Sequence, residues 1–338
     1  MNEAEARPAR QQAMRDKTAH VVPRGHGSAV SRYLLAGAAR SARHDRAPEA
    51  GAVAGEATVT LQRLRSYVIA GLDDSAGGYL AVEQAAREAM WRGWRMRIVH
   101  VQDATVRPGH RDALRTAGAE LLADGADRAR VQGPALAVST ELRVGSAAGE
   151  LIAASTGAGL VVVGTRGGGG FNELTTGSVA HHVAAHAEAP VLVVRIPPRP
   201  SGLEWIDHPV LVGIDGSEES YGAFEFAVAE ARLRGAGLLA VNATAGQWSD
   251  DVDPLRSGVL AGFDNECLGV PVRRRSVDQD PRRALVGLSA QASAVVVAAR
   301  GRGGFPGLRT GSVTQTLIHQ SHSPVFVIRG PHIDRQAA

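Results

Sequence analysis

A glycine-rich segment occurs twice in this chain, and that repetition constrains the fold more than any other feature. The first copy, VVVGTRGGGGFNELTTGSVAHHVAAHAEAPVLVVR, runs from Val161 to Arg195. The second, VVVAARGRGGFPGLRTGSVTQTLIHQSHSPVFVIR, runs from Val295 to Arg329. They align without a gap, and about half of the positions are identical. Each reads as a buried strand, a glycine loop, a Gly-Ser helix start, a short helix and a Pro-started strand. Upstream, YVIAGLDDS (Tyr67 to Ser75) matches VLVGIDGS (Val210 to Ser217). The repeating unit is therefore a whole domain, and 338 residues suit two domains that each bury a core.

The first copy reads βαβαβαβαβ. Strands are expected at Tyr67 to Leu72, Met96 to Val101, Leu136 to Arg143, Leu160 to Val163 and Val191 to Arg195. Helices are expected from Gly77 to Arg92, Arg111 to Val131, Ala147 to Ser155 and from Ser178 onward, with Leu80, Ala81, Ala85 and Met90 on the apolar side of the first. Alternation of strand and helix implies parallel pairing with right-handed crossovers. Continuous apolar strands such as LVVV fit a sheet covered on both faces. The predicted class is α/β: two tandem doubly wound, Rossmann-like domains, each with a five-stranded parallel sheet. The expected layout is an Arg/Ala/Gly-rich disordered arm over 1–64, a first domain over 65–196, a proline-stiffened linker over 197–208, a second domain over 209–330 and a tail over 331–338. The second copy is shorter between Asn242 and Arg282, so its second helix should be short.

Composition narrows the function classes. The net charge is only +3, and Lys17 is the single lysine, so nucleic acid is not an expected partner. No apolar run approaches the roughly 20 residues of a membrane span. Cys267 is the single cysteine, which rules out an intramolecular disulfide and favours a reducing, cytoplasmic compartment.

In a doubly wound sheet, ligands bind at the carboxyl ends of the strands. Asp73 lies there after strand one, Gly164 and Gly167 after strand four, and Gly177 and Ser178 at the next helix start. A run of glycines lets backbone approach an anion, and successive N–H groups can form an anion nest. A helix N-terminus adds free donors and partial positive charge. Asp73 supplies a carboxylate suited to ribose hydroxyls. Glycine loops also make plain turns, and a serine at a helix start also serves as a cap, so spacing alone leaves both readings open.

The spacing Gly164-x2-Gly167-x9-Gly177-Ser178 resembles the ATP-binding signature of the universal stress protein family. The likeness extends to Asp73, to Val99-His100-Val101 and to the closing PVLVVR, and covers both copies from about residue 66 to residue 330. It implies an adenine-nucleotide-binding domain, with ATP, and Mg2+ as its companion ion, as the expected ligand. It also implies roles: Asp73 and the backbone of Val101 toward ribose and adenine; Gly164, Gly167, Gly177 and Ser178 toward ribose and phosphates. The second copy offers Asp215, Ala243, Gly301, Gly311 and Ser312 at the matching places. It departs where Ala298 replaces the first signature glycine and Gln279 stands for Gly145, while Arg302 and Arg309 add positive charge to the loop. The second site is therefore expected to be the weaker.

Other motifs carry less. There is no Walker A motif, and the GxGxxG-like glycines follow the fourth strand, not the first. His182 and His186 lie four apart but lack an evident third ligand, so they read as a helix face. Arg273-Arg274-Arg275 reads as an exposed edge strand and Cys267 as a small core residue. The resulting function is a nucleotide-binding stress-response sensor or regulator that acts on an unidentified protein partner, with slow hydrolysis at most. A weak ATPase or nucleotide-dependent transferase, and a nucleotide-free interaction module, stay open as alternatives. Each repeat ends in an apolar strand, Pro190 to Arg195 and Pro324 to Arg329. Family relatives with one domain dimerise through this element. Here the two copies are expected to pair within the chain about a pseudo-two-fold, bringing Val193 near Val327; a further homodimer is left open.

Overall fold

A computed structural model describes residues 66–103, 111–165, 178–195, 208–245, 266–267, 269–302 and 309–329. The expected arm, linker, tail and shortened second helix of the second copy lie outside them. The first domain contains β1 (Tyr67–Gly71), α1 (Ala76–Arg92), β2 (Arg95–Gln102), α2 (Arg111–Gln132), β3 (Val138–Val144), α3 (Ala147–Ser155), β4 (Leu160–Gly164), α4 (Ser178–His186) and β5 (Val191–Val194). The second contains β6 (Val210–Gly213), α5 (Glu218–Arg234), β7 (Leu238–Ala243), β8 (Glu266–Cys267), β9 (Val270–Val277), α6 (Pro281–Ser289), β10 (Ala294–Ala298), α7 (Ser312–Gln320) and β11 (Val325–Ile328).

Local chemistry sets the helix ends. Ser75 and Ser217 accept from the amides of Gly78 and Ser220 to start α1 and α5. Gly93 and Gly235 stop these helices in the left-handed region, at φ 58° and 64°. Asp280 caps α6 with Pro281 in its first turn. Ala81 and Ala85 face the core as expected, but Met90 is 38% exposed and covers the surface of Gly133.

All eleven strands join one sheet, in the order β3-β2-β1-β4-β5-β11-β10-β6-β7-β9-β8. Within each half the five repeat strands are parallel, and the two-residue β8 adds an antiparallel edge beside β9. Arg273, Arg274 and Arg275 lie on β9, pairing with β7 on one side and extending beyond β8 on the other. The halves meet where β5 and β11 pair antiparallel, with Leu192 opposite Phe326, Val193 opposite Val325 and Val191 opposite Val327. The expected neighbours Val193 and Val327 are thus diagonal partners on one face, two positions from direct register. The apolar edges pair because an exposed apolar strand leaves both its backbone and its side chains unsatisfied. Leu192, Val193, Val325, Phe326 and Val327 are completely buried, each contributing roughly 1.5–3 kcal/mol of apolar burial. Two apolar layers sandwich the sheet: α1 and α5 pack on one face with Phe226 against Phe326 (centroids 5.2 Å), and α3, α4, α6 and α7 pack on the other.

A buried ionic quartet clamps α1 to α5. Arg234 reaches Glu88 (2.7 Å) and Glu230 (2.8 Å), and Arg92 pairs with the same two acids. Glu88 and Glu230 are fully buried. Gln84 also donates to Glu88, and the Arg234 guanidinium lies 4.7 Å from the Trp91 ring centroid. Burial opposes ionisation of both acids. At Glu88 the two guanidiniums and the Gln84 amide outweigh it and hold the carboxyl below its ordinary value. At Glu230 burial prevails, helped by the Glu88 charge, and the carboxyl is pushed up.

Candidate functional site

The carboxyl ends of β1, β2 and β4 and the start of α4 assemble the first site. Asp73 follows β1 within the turn that opens α1. Ser75 donates to Asp73 Oδ1 while accepting from the Gly78 amide (3.0 Å), so one hydroxyl both caps the helix and fixes the carboxylate. Gly78 is required here, because a Cβ would lie 2.4 Å from Asp73 Oδ1. Beside this turn, Gly164 ends β4. A Cβ there would lie 2.4 Å from the Gly77 carbonyl oxygen. The first signature glycine thus has a packing reason inside the protein: it lets the end of β4 dock on the first turn of α1. Ser178 is exposed at the start of α4, and its carbonyl accepts from His182 Nδ1 (2.7 Å). Gly167 and Gly177 lie outside the described residues.

At the end of β2 a cavity of about 620 Å³ opens between α1 and α2, lined by Val101, Tyr79 and the carboxylates of Asp74, Asp103, Glu120 and Asp124. Burial and a hydrogen bond with Asp124 push the Tyr79 hydroxyl pKa up. The Arg128 guanidinium lies 3.9 Å from the Tyr79 ring centroid. His100 points inward, its Nδ1 donating to the Leu72 carbonyl (2.9 Å) and tying β2 to the end of β1. In the second domain buried Asn242 does the same toward Ile214 (2.8 Å). Apart from Val101, the cavity lining was not foreseen, because its acids are spread over two turns and one helix and carry no motif.

The second site is built on the same plan with different contacts. Asp215 Oδ1 accepts from the Ser217 amide (2.9 Å) and hydroxyl (2.6 Å), and Oδ2 accepts from the Arg302 amide (2.7 Å). Burial opposes ionisation of Asp215, but these bonds outweigh it and lower its pKa. Gly301 sits directly on the carboxylate: a Cβ there would lie 2.0 Å from Asp215 Oδ2. Ala298 takes the place of Gly164, nearly buried, with its carbonyl accepting from Thr314 (2.8 Å). Ala243 ends β7, half-buried. Gly311 caps α7 with no side-chain hydrogen bond, and Ser312 is exposed as its first residue. At Gly311 φ is −76° and an added Cβ would meet only ordinary contacts at 3.8 Å or more. Neither the backbone nor the packing among the described residues asks for glycine there, and α7 begins without a side-chain cap.

His182 and His186 stack at 6.2 Å, and among the described residues no group of three or more His, Cys, Asp or Glu is placed to hold a metal. Burial, and next the charges of His182 and His186, lower the pKa of His181. Cys267 is buried, and burial raises its thiol pKa. Among the described residues no helix is long and apolar enough to cross a membrane.

Comparison with known proteins agrees with this architecture. Universal stress protein Rv1996 of Mycobacterium tuberculosis H37Rv is 30% identical over 312 residues, which is 81% of this chain and 98% of that protein. Universal stress protein Rv2623 of the same organism is 32% identical over 293 residues, covering 78% and 96%. The crystal structure of a universal stress protein from Archaeoglobus fulgidus superposes with a TM-score of 0.62 at 20% identity, covering 79% of this chain and 97% of that one. The family model for the universal stress protein family matches twice, over residues 66–195 and 208–329. Two matching copies, in a chain whose two halves share one strand order, make this a member of the universal stress protein family.

Proposed function

We propose that the first domain binds an adenine nucleotide, ATP in the first instance, and that the protein acts in the cytoplasm as a nucleotide-responsive regulator of a protein partner. One observation carries this reading: Asp73, Val101, Gly164 and Ser178, distant in sequence, lie at the carboxyl ends of neighbouring strands and at one helix start. The arrangement suits a nucleotide. Asp73 is an anchored acceptor for ribose hydroxyls, held by Ser75. The cavity at the end of β2 has room for a base, and its carboxylates suit an exocyclic amino group. The α4 N-terminus offers amide donors to phosphate.

The test uses the purified full-length protein shown to be free of nucleotide. ATP at a hundred times its dissociation constant should stabilise the fold by about 2.7 kcal/mol, read as a rise in Tm. Gly177→Val, at the signature glycine just before Ser178, should abolish the rise, and Ser178→Ala should reduce it. Absence of any shift with millimolar ATP would refute the reading.

A further inference from the structure

The two sites differ in charge. The first domain's cavity is lined by four carboxylates. In the second, arginines converge on the corresponding carboxyl end of that half's own strands. Ala299 donates its amide to the Ile328 carbonyl (2.7 Å), which sets Arg300 beside Arg329. Gly311 donates to the Ala299 carbonyl (2.8 Å), which brings Arg309 and the start of α7 alongside them. Arg300, Arg302 and Arg309 are exposed and Arg329 is half-buried. Burial, followed by the like charges of Arg309 and Arg300, depresses the Arg329 pKa, so these guanidiniums feel one another. Meanwhile both oxygens of Asp215, the carboxylate that matches Asp73, accept hydrogen bonds from the protein's own backbone and from Ser217.

We propose that the second domain's site is a polyphosphate-selective anion site, in which Arg300, Arg309 and Arg329, together with the N-terminus of α7, hold a phosphate-rich ligand by its charge. This deepens the nucleotide reading and rests on it in treating the carboxyl ends of the strands as anion sites. Guanidiniums suit the task because their planar fork matches phosphate oxygens in pairs. Clustering three of them raises the local attraction for a multiply charged anion over a singly charged one. Such binding should weaken as salt rises, because the arginines are mostly exposed and their field is screened.

The experiment titrates the full-length, nucleotide-free protein with inorganic tripolyphosphate by calorimetry, at low and at high salt. Binding should appear, weaken at least tenfold in high salt, and weaken at least tenfold in a double variant carrying Arg300→Gln and Arg309→Gln, both exposed positions. A charge-matched control on α2, Arg115→Gln with Arg130→Gln, should keep its affinity within twofold. Arg329→Gln is a second, partly buried probe of the same cluster, scored only if its Tm matches the parent. The proposal is overturned if the Arg300/Arg309 variant binds as tightly as the control, or if the control loses as much affinity. An ATP-induced rise in Tm that needs Ser178, alongside tripolyphosphate binding indifferent to the arginines, leaves the first-domain reading standing and removes this one. Arginine-dependent tripolyphosphate binding with no Ser178-dependent response to ATP does the reverse.

Discussion

Single glycines separate the two halves of this molecule. Gly164 and Ala298 occupy matching positions, but only Gly164 is pressed against a backbone carbonyl, 2.4 Å from where its Cβ would be. Gly164→Ala should therefore act first on stability, costing roughly 1–3 kcal/mol as the end of β4 is forced off α1, measured by denaturant unfolding. Ala298→Gly should leave the fold nearly unchanged and tighten nucleotide binding at the second site, or create it, measured by calorimetry. Two equal sites in the parent protein would contradict that asymmetry. The family resemblance implied ligand approach at both positions, while glycine spacing alone left a structural turn equally open. A close contact between β4 and α1 has no signature in sequence, since glycine spacing records that a side chain is absent and not which neighbour excludes it.

Helices α1 and α5 carry the interaction that most separates local from long-range information. Glu88 and Arg92 lie four apart on α1, as do Glu230 and Arg234 on α5, and spacing alone suggests ordinary surface pairs worth a few tenths of a kcal/mol. Tertiary packing buries all four at the seam and crosses the partners between domains. Arg234→Met should cost roughly 3–5 kcal/mol, because it leaves two buried carboxylates sharing one guanidinium. Replacing all four residues with apolar side chains of similar size should recover most of that loss. Denaturant midpoints of the two variants test both statements. The strands were far more legible: each of β1, β2, β4 and β5 falls within two residues of its expected bounds, because a fully covered parallel strand is written as a continuous apolar run. The quartet was not read from the sequence: acid and base recur at equivalent places of both copies, but nothing in that spacing shows that they meet. The acidic cavity was not legible, since Asp74 from the turn before α1, Asp103 from the end of β2, and Glu120 and Asp124 from α2 are isolated acids that only folding gathers.

At the scale of the whole molecule, β5 and β11 turn two five-stranded sheets into one continuous sheet. Residues 66–195 expressed alone should expose a strand whose Leu192 and Val193 are completely buried in the full chain, and should dimerise or aggregate in gel filtration with light scattering. A monodisperse, stable monomer would contradict the role assigned to that seam. Pairing at the seam is antiparallel, while the strands of each half are parallel. The carboxyl ends of the two halves consequently point away from each other, one at either end of the sheet. A flat surface laid against one mouth leaves the other turned outward, so no single flat surface can cover both at once.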